Sequence, residues 1–93
     1  MKNMSILQKI RQKIHAREYY LSAHAEDEMG SDELERQDIE HAMLTGRIEK
    51  KLTHDLRGTR YRIEGHAYDR RRIHVICRFK EENDVLIITV YAL

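Results

Sequence analysis

Six histidines are the residues of this sequence best suited to acid–base chemistry, because imidazole changes its charge at about pH 6.5. They stand at positions 15, 24, 41, 54, 66 and 74, and no gap between them has the short local spacing of typical zinc motifs. The stretch H-A-E at 24–26 matches the start of the zinc-deaminase motif, but no P-C-x-x-C segment accompanies it. We therefore expect no metal and no cofactor, which leaves metal-free proton transfer.

Cleavage of RNA is compatible with such a set of residues. The substrate's own 2′-hydroxyl is the nucleophile, so the protein supplies only a base, a proton donor and cations. The single cysteine, Cys77, falls on the apolar face of a predicted strand, and we expect it in the core. The sequence contains no glycine-rich phosphate loop, G-x-S-x-G motif or dinucleotide fingerprint.

His24 and His74 are the histidines that we assign to proton transfer. His74 shares one face of a predicted strand with Arg72 and Arg78, since side chains alternate along a strand. His24 follows Ser22, whose hydroxyl predicts a helix start, and from there it can face the same cleft. A purely structural role stays open for both.

The charges are segregated along the chain, although the net charge is only +1 over 93 residues. Residues 41–80 hold eleven bases and four acids, whereas residues 18–40 hold one base and nine acids. The basic block favours a polyanionic partner; the alternative is that two solvated surfaces neutralise each other. The longest apolar run, 85–93, is about half the length that spans a bilayer, and one cysteine allows no internal disulfide. We expect a cytoplasmic protein with no membrane segment.

Helices are predicted to precede strands. Apolar residues at helical spacing indicate an amphipathic helix over 4–17, and we treat 1–18 as an N-terminal helical segment beside one domain at 19–93. Ser22 and Gly30 bound a short helix over 23–29. A further helix over 35–46 ends at Gly46.

From residue 47 onwards a period of two indicates four strands. The predicted fold is α+β, with the N-terminal helices packed on one face of a mainly antiparallel four-stranded sheet. In the last strand, Leu86, Ile88 and Val90 are taken as the core set, which turns Thr89 and Tyr91 to the other face.

That other face combines guanidinium groups, imidazoles and a phenol. Arginine forks clamp phosphate oxygens, and aromatic rings stack on bases. We assign catalytic roles to His24, Arg60, His74 and Tyr91, and RNA contacts to Tyr61, Arg62, Arg72 and Arg78. The alternative is that long arginines merely keep an open sheet face solvated.

An ordered set of short motifs resembles a bacterial family catalogued as domain of unknown function 4258. The motifs are S-A-H-A…M (22–29), D-I-E-H-A-M-L-T-G (38–46), G-T-R-Y (58–61), I-E-G (63–65), I-H-V-I (73–76) and I-I-T-V-Y (87–91). The resemblance runs from about Tyr20 to Tyr91. It implies a small α+β domain similar to toxins of the RelE and BrnT type, a fold grouped with metal-independent ribonucleases.

Carried over to this chain, the family pattern points to His24, the pair Arg60-Tyr61, Gly65 and Tyr91. Two positions depart from it. Glu28 stands where the family usually has arginine, and Glu35 replaces the usual Ser/Thr helix cap. A carboxylate beside His24 favours its imidazolium form, which suits a proton donor or a phosphate ligand better than a general base.

Three functional hypotheses remain open. The first is a small ribonuclease toxin that binds RNA on the basic sheet face and pairs with an antitoxin-like protein. The second is a non-catalytic module that binds nucleic acid or protein. The third is a soluble domain whose basic face is only solvated. The N-terminal helix could dock on the domain, form a homodimer or contact the partner.

Overall fold

Three helices and five strands make up this computed structural model, which describes residues 4–53 and 56–93. In chain order they are α1 (Ile6–His15), β1 (Tyr19–Leu21), α2 (Ala23–Ser31), α3 (Arg36–Thr45), β2 (Arg47–Leu52), β3 (Arg60–His66), β4 (Arg72–Phe79) and β5 (Val85–Ala92). Residues 1–3 of the predicted N-terminal segment, and His54, lie outside the described residues. No helix in the described ranges combines the length and apolarity needed to cross a bilayer.

The sheet has the strand order β1-β5-β4-β3-β2. Strands β2 to β5 pair antiparallel with their neighbours, while β1 pairs parallel with β5. The α+β prediction is confirmed, but the prediction of four strands was wrong, because β1 makes the sheet five-stranded and mixed. A strand of three residues is too short to show the alternation by which the others were recognised.

The helix α1 packs into the same core as the sheet. Ile10 and Ile14 are 1% and 2% exposed and belong to the cluster that includes Ile39, Val75 and Ile87. Its polar side is anchored as well, since Arg11 donates from Nη2 to the carbonyl oxygen of Gly46 over 2.6 Å. The apolar face of α1 is thus turned to its own domain, and we do not propose it as a dimer surface.

Two glycines let α3 approach β3 closely. A Cβ atom added to Gly65 would lie 2.4 Å from the carbonyl oxygen of Ala42 and 2.8 Å from its Cα. One added to Gly46 would lie 2.3 Å from the carbonyl oxygen of Glu64. Both neighbours are backbone atoms, which cannot turn aside as a flexible side chain can.

The start of α2 follows the prediction, but its end does not. Ser22 Oγ accepts a hydrogen bond from the Ala25 amide at 3.0 Å, so the predicted N-cap is confirmed. The helix continues through Gly30 to Ser31. Its last hydrogen bond is donated by the Asp32 amide to the Glu28 carbonyl oxygen at 3.0 Å. Gly30 is not among the residues with positive φ, so it does not form the left-handed cap that would end a helix.

The same helix covers the edge of β5 that β1 leaves open. Ser22 donates through Oγ to the carbonyl of Ile88 at 2.8 Å. The carboxylate of Glu28 accepts from the Val90 amide, and that of Asp32 accepts from the Ala92 amide, each at 3.0 Å. An uncovered strand edge would present these groups to other chains, so part of the acidic segment serves the sheet.

Candidate functional site

One row of side chains crosses four strands on the face of the sheet away from the helices, which we call the outer face. The pairing register places Arg47 opposite Glu64, Glu64 opposite His74, and His74 opposite Tyr91. Residues directly opposite each other share a face and lie within reach. Register alone therefore brings together four residues that are up to 44 positions apart in the chain.

Tyr91 belongs to this row because of a β-bulge. Ile76 pairs with Thr89, but the next residue, Cys77, pairs with Ile87, so Ile88 is an extra residue on β5. Val85 and Ile87 before the bulge, and Val90 after it, are all 0% exposed. Uninterrupted alternation would have buried Tyr91 and exposed Val90. The predicted core set of Leu86, Ile88 and Val90 was thus wrong before the bulge, whereas Tyr91 does lie on the outer face.

His74 connects Tyr91 to Glu64. Its Nδ1 lies 2.9 Å from the Tyr91 hydroxyl, and its Nε2 lies 3.2 Å from Glu64 Oε1. The two rings meet edge to face, with centroids 5.2 Å apart at 74°. The His74 side chain is only 11% exposed, so these contacts fix the orientation of the imidazole. We call Tyr91, His74 and Glu64 the relay.

Glu64 is also bound by two arginines. Arg72 Nη2 lies 2.8 Å from Oε1, and Arg47 Nη2 lies 3.3 Å from Oε2. Hydrogen bonds from Arg72 and then from His74 are the main causes that lower the Glu64 pKa to about 2. Glu64 is therefore a carboxylate at neutral pH and can only accept hydrogen bonds.

The ionised state of Glu64 determines which atoms of the relay carry hydrogens. Since Glu64 only accepts, His74 Nε2 carries a hydrogen and donates it to the carboxylate. In the neutral imidazole, Nδ1 is then an acceptor for the Tyr91 hydroxyl. The arrangement can move a proton from the phenol onto His74, with the resulting imidazolium held beside Glu64, as in acid–base sites where a carboxylate orients a histidine.

Arg62 lies one row further along the outer face, where it is paired with Ile76 in the register. Its Nε forms an ion pair with Glu49 at 2.5 Å. That hydrogen bond is the main cause of a raised Arg62 pKa, to which Tyr91 also contributes. Tyr91 therefore lies between the His74 imidazole and the Arg62 guanidinium.

The outer face as a whole is basic. Among the residues of β2 to β5, six cations and two carboxylates lie on it: Arg47, Lys50, Arg60, Arg62, Arg72 and Arg78 against Glu49 and Glu64.

Within the described ranges, no group of three His, Cys, Asp or Glu side chains is arranged to hold a metal ion. Burial raises the pKa of Cys77 to about 12, which makes its thiol a poor nucleophile.

The predicted site residues are only partly brought together. Arg72 and His74 contact Glu64, and Tyr91 is joined to it through His74. Arg62 lies one row away, where it pairs with Glu49. Arg60, which pairs with Leu52, and Arg78, which pairs with Leu86, both lie two rows from the relay. At about 3.3 Å per residue, the four residues from Glu64 to Arg60 span about 13 Å. Arg60 is therefore not placed to act on the same atom as His74.

Two predicted residues lie elsewhere. Tyr61 is 8% exposed on the helix-covered face, where its ring packs edge to face against Phe79 at 6.3 Å, and this burial removes it from an RNA surface. His24 has a side chain that is 66% exposed, and its Nε2 lies 3.2 Å from Glu28 on the next turn of α2. We leave His24 out of the site, since it contacts a carboxylate that holds the edge of β5 and not the relay.

Glu64 was not predicted as a site residue. Glu64 was visible as an outward residue in the alternation of β3, but one acid among many arginines gave no signal of its own. The informative observation would have been its cross-strand position opposite His74, which depends on the register of the β3–β4 hairpin.

Searches of curated proteins and of solved structures each returned no significant match. A family model described as Domain of unknown function (DUF4258) matches residues 21–92, which include the relay, α2 with its contacts to β5, and the close approach of α3 to β3. Because the match covers most of the sequence, this chain belongs to the DUF4258 family.

Proposed function

We propose that this protein binds RNA on the outer face of its sheet and cleaves the phosphodiester backbone by metal-independent acid–base chemistry. The observation that carries the proposal is the relay, in which a partly buried histidine joins a half-buried phenol to an ionised carboxylate. The relay lies on a face with six cations, which suits a polyanionic substrate.

In the proposed reaction, Tyr91 is the group that touches the substrate. It takes the proton of the 2′-hydroxyl while its own proton passes to His74 Nδ1, and Glu64 stabilises the imidazolium. The 2′-oxygen then forms a bond to phosphorus, and the bond from phosphorus to the 5′-oxygen breaks. The 5′-oxygen takes a proton from water, and the hydroxide that remains is neutralised by the proton that His74 returns through Tyr91. The products are a 2′,3′-cyclic phosphate and a 5′-hydroxyl end.

The arginines would stabilise the charge that develops on phosphorus. Arg62 is placed best for this role, because it lies on the outer face one row from Tyr91. The Arg72 guanidinium is shared with Glu64 but remains 59% exposed, so it can contact a further phosphate oxygen.

A purified-protein assay tests the chemistry. We expect a single-stranded RNA to be cut with a cyclic-phosphate end, and the same oligonucleotide with 2′-deoxyriboses to resist. Tyr91→Phe removes only the hydroxyl and should lower kcat by at least 100-fold with circular dichroism unchanged. Tyr68→Phe is the matched control, because Tyr68 is 63% exposed and outside the relay. Equal rates for Tyr91→Phe and the wild type would exclude the relay mechanism.

The proposal extends to a toxin-like role of the RelE and BrnT type in the bacterial cytoplasm, with an antitoxin-like protein as partner. Its support is the α+β arrangement with a basic antiparallel sheet face and the membership in the family. Induced expression should arrest growth, and Tyr91→Phe should relieve the arrest at equal protein level. Unimpaired growth with soluble wild-type protein would count against this role.

A binding module without catalysis is the second candidate, and one observation favours it. Glu64 already occupies guanidinium groups of Arg72 and Arg47, and the His74 side chain is only 11% exposed, so the relay could serve to hold the sheet together. Such a module would bind RNA with a steep salt dependence and leave it intact. Intact RNA after prolonged incubation, together with salt-sensitive binding, would support it.

A further inference from the structure

A pocket of about 400 Å³ lies at the end of the outer face that β1 and the β4–β5 turn border. Its described lining consists of Tyr20, Arg78, Lys80, Glu81, Glu82 and Asp84. Tyr20 is 53% exposed, so its ring offers a flat apolar surface to a ligand. None of these residues belongs to the relay, and the pocket is thus a separate part of the outer face.

Strand pairing places Tyr20 on the outer face in the row of Arg78. Tyr20 pairs with Leu86, and Leu86 pairs with Arg78, so the three residues share one row of the sheet. Arg78 lies four residues from His74 on β4, about 13 Å by strand rise, which exceeds what one nucleotide spans. Arg62 lies in the row between them. An RNA strand that runs from the relay past Arg62 therefore reaches the pocket with a neighbouring nucleotide.

Two cations of the pocket lie beside the Tyr20 ring. Lys80 Nζ lies 4.7 Å from the ring centroid, and Tyr20 is still more than half exposed with this contact in place. Arg78 donates from Nη1 to the Phe79 carbonyl oxygen at 3.4 Å, which leaves other guanidinium N–H groups for a phosphate oxygen. A base stacked on Tyr20 would thus have cations close to its own phosphate.

The carboxylates of the turn favour a base, and not a phosphate, inside the pocket. Glu81 and Glu82 are exposed and border it, whereas the Asp84 carboxylate lies 3.6 Å from Lys13 Nζ in an ion pair. A carboxylate repels phosphate, but it accepts hydrogen bonds from an exocyclic amino group such as N4 of cytosine. Uracil has a carbonyl oxygen at that position and offers no such donor.

Resting on the proposed function, we propose that this pocket is a subsite for one unpaired base of the RNA, in a nucleotide near those at the relay. The base stacks on Tyr20, while Arg78 and Lys80 bind the phosphates beside it. Glu81 and Glu82 favour a base with an exocyclic amino group over uracil. Because a duplex keeps its bases paired and stacked on one another, the subsite selects a single strand.

Binding of non-cleavable strands tests the stacking separately from the chemistry. The probes are fluorescein-labelled 2′-O-methyl octacytidylate, 2′-O-methyl octauridylate and an abasic octamer of the same charge. Tyr20→Ala should weaken the binding of octacytidylate about tenfold and leave that of the abasic octamer unchanged, whereas Tyr20→Phe keeps the ring and should bind as the wild type does. Tyr68→Ala is the matched control, because Tyr68 is 63% exposed and outside the pocket.

The two pyrimidine strands test the selection by the carboxylates. The wild type should bind octacytidylate about fivefold more tightly than octauridylate or better. Glu81→Gln/Glu82→Gln should reduce this difference to less than about twofold, because a glutamine amide can donate to uracil as well as accept from cytosine. The control Glu26→Gln/Asp27→Asn removes two exposed acids from α2 and should keep the preference of the wild type.

The outcomes separate the subsite from the proposed chemistry. Equal binding of octacytidylate by Tyr20→Ala and the wild type, or an equal loss with the abasic octamer, would overturn the subsite. Equal wild-type affinity for the two pyrimidine strands would refute the selection by Glu81 and Glu82. Intact unmodified RNA together with Tyr20-dependent binding would refute the cleavage and leave the subsite standing, whereas cleavage with unchanged KM in Tyr20→Ala would do the reverse.

Discussion

At the scale of single residues, Glu64 links the arginines of β2 and β4 to the other two residues of the relay. It accepts hydrogen bonds from Arg72, Arg47 and His74, so it compensates charge where three strands meet and holds the imidazole at the same time. The alternation of β3 shows that one acid lies on this face. It cannot show the three contacts of that acid, because they come from two neighbouring strands.

The lowered pKa of Glu64 predicts a specific pH dependence of stability. The pKa falls from an ordinary value of 4.5 to about 2 in the folded protein, so the carboxylate stabilises the fold above pH 4.5. This contribution is lost as the pH falls from 4.5 towards 2. Glu64→Gln should therefore show a smaller loss of stability over this range, measured by urea unfolding at successive pH values.

The control for this experiment is Glu82→Gln, which removes an exposed carboxyl from the β4–β5 turn. It should keep the acid dependence of the wild type. If Glu64→Gln loses stability between pH 4.5 and 2 as steeply as the wild type does, the ion pairs around Glu64 do not contribute as described.

At the scale of elements, α2 holds the part of β5 that carries Tyr91. The amides on either side of Tyr91, those of Val90 and Ala92, donate to Glu28 and Asp32. In the sequence this segment is visible only as a run of acidic residues, because spacing cannot show that two of its carboxylates bond to backbone. The departure at Glu28 thus has a structural use, and His24 contacts the same carboxylate.

Removal of these carboxylates should loosen the end of β5. In Glu28→Ala/Asp32→Ala, the Val90 and Ala92 amides lose their acceptors, and we expect their hydrogen exchange to be at least tenfold faster, as measured by NMR. Asp27→Ala, an exposed acid on the same helix, should leave both amides protected. Unchanged exchange in the double variant would show that another group holds this strand edge.

The contact of α3 with β3 predicts that alanine at Gly65 lowers stability. Alanine at Gly30, which lies in α2 away from this contact, should have the opposite effect. Gly65→Ala places a methyl group against the backbone of Ala42 and should cost about 1–3 kcal/mol or more in the free energy of unfolding. Gly30→Ala meets nothing within 4 Å inside α2 and should stabilise by about 0.5–1 kcal/mol. Urea unfolding measures both, and equal changes would contradict the close approach.

At the scale of the whole molecule, α1 belongs to the core although the family match begins at residue 21. Ile10→Ala would leave a cavity beside Ile14 and should destabilise the protein by about 2–5 kcal/mol. Gln12→Ala, on the exposed side of the same helix, should change stability by less than about 0.5 kcal/mol. A small effect of Ile10→Ala would mean that α1 detaches from the domain in solution.

The local pattern of the sequence was sufficient to predict three helices, four of the five strands, the burial of Cys77 and the basic character of the outer face. Each of these follows from the spacing of neighbouring residues, which fixes the side that a helix or strand presents. The tertiary structure alone decided the strand β1, the bulge at Ile88 that turns Tyr91 outward, and the meeting of Glu64 with His74. These features depend on register between distant segments, and a shift of one residue moves every side chain of a strand to the other face.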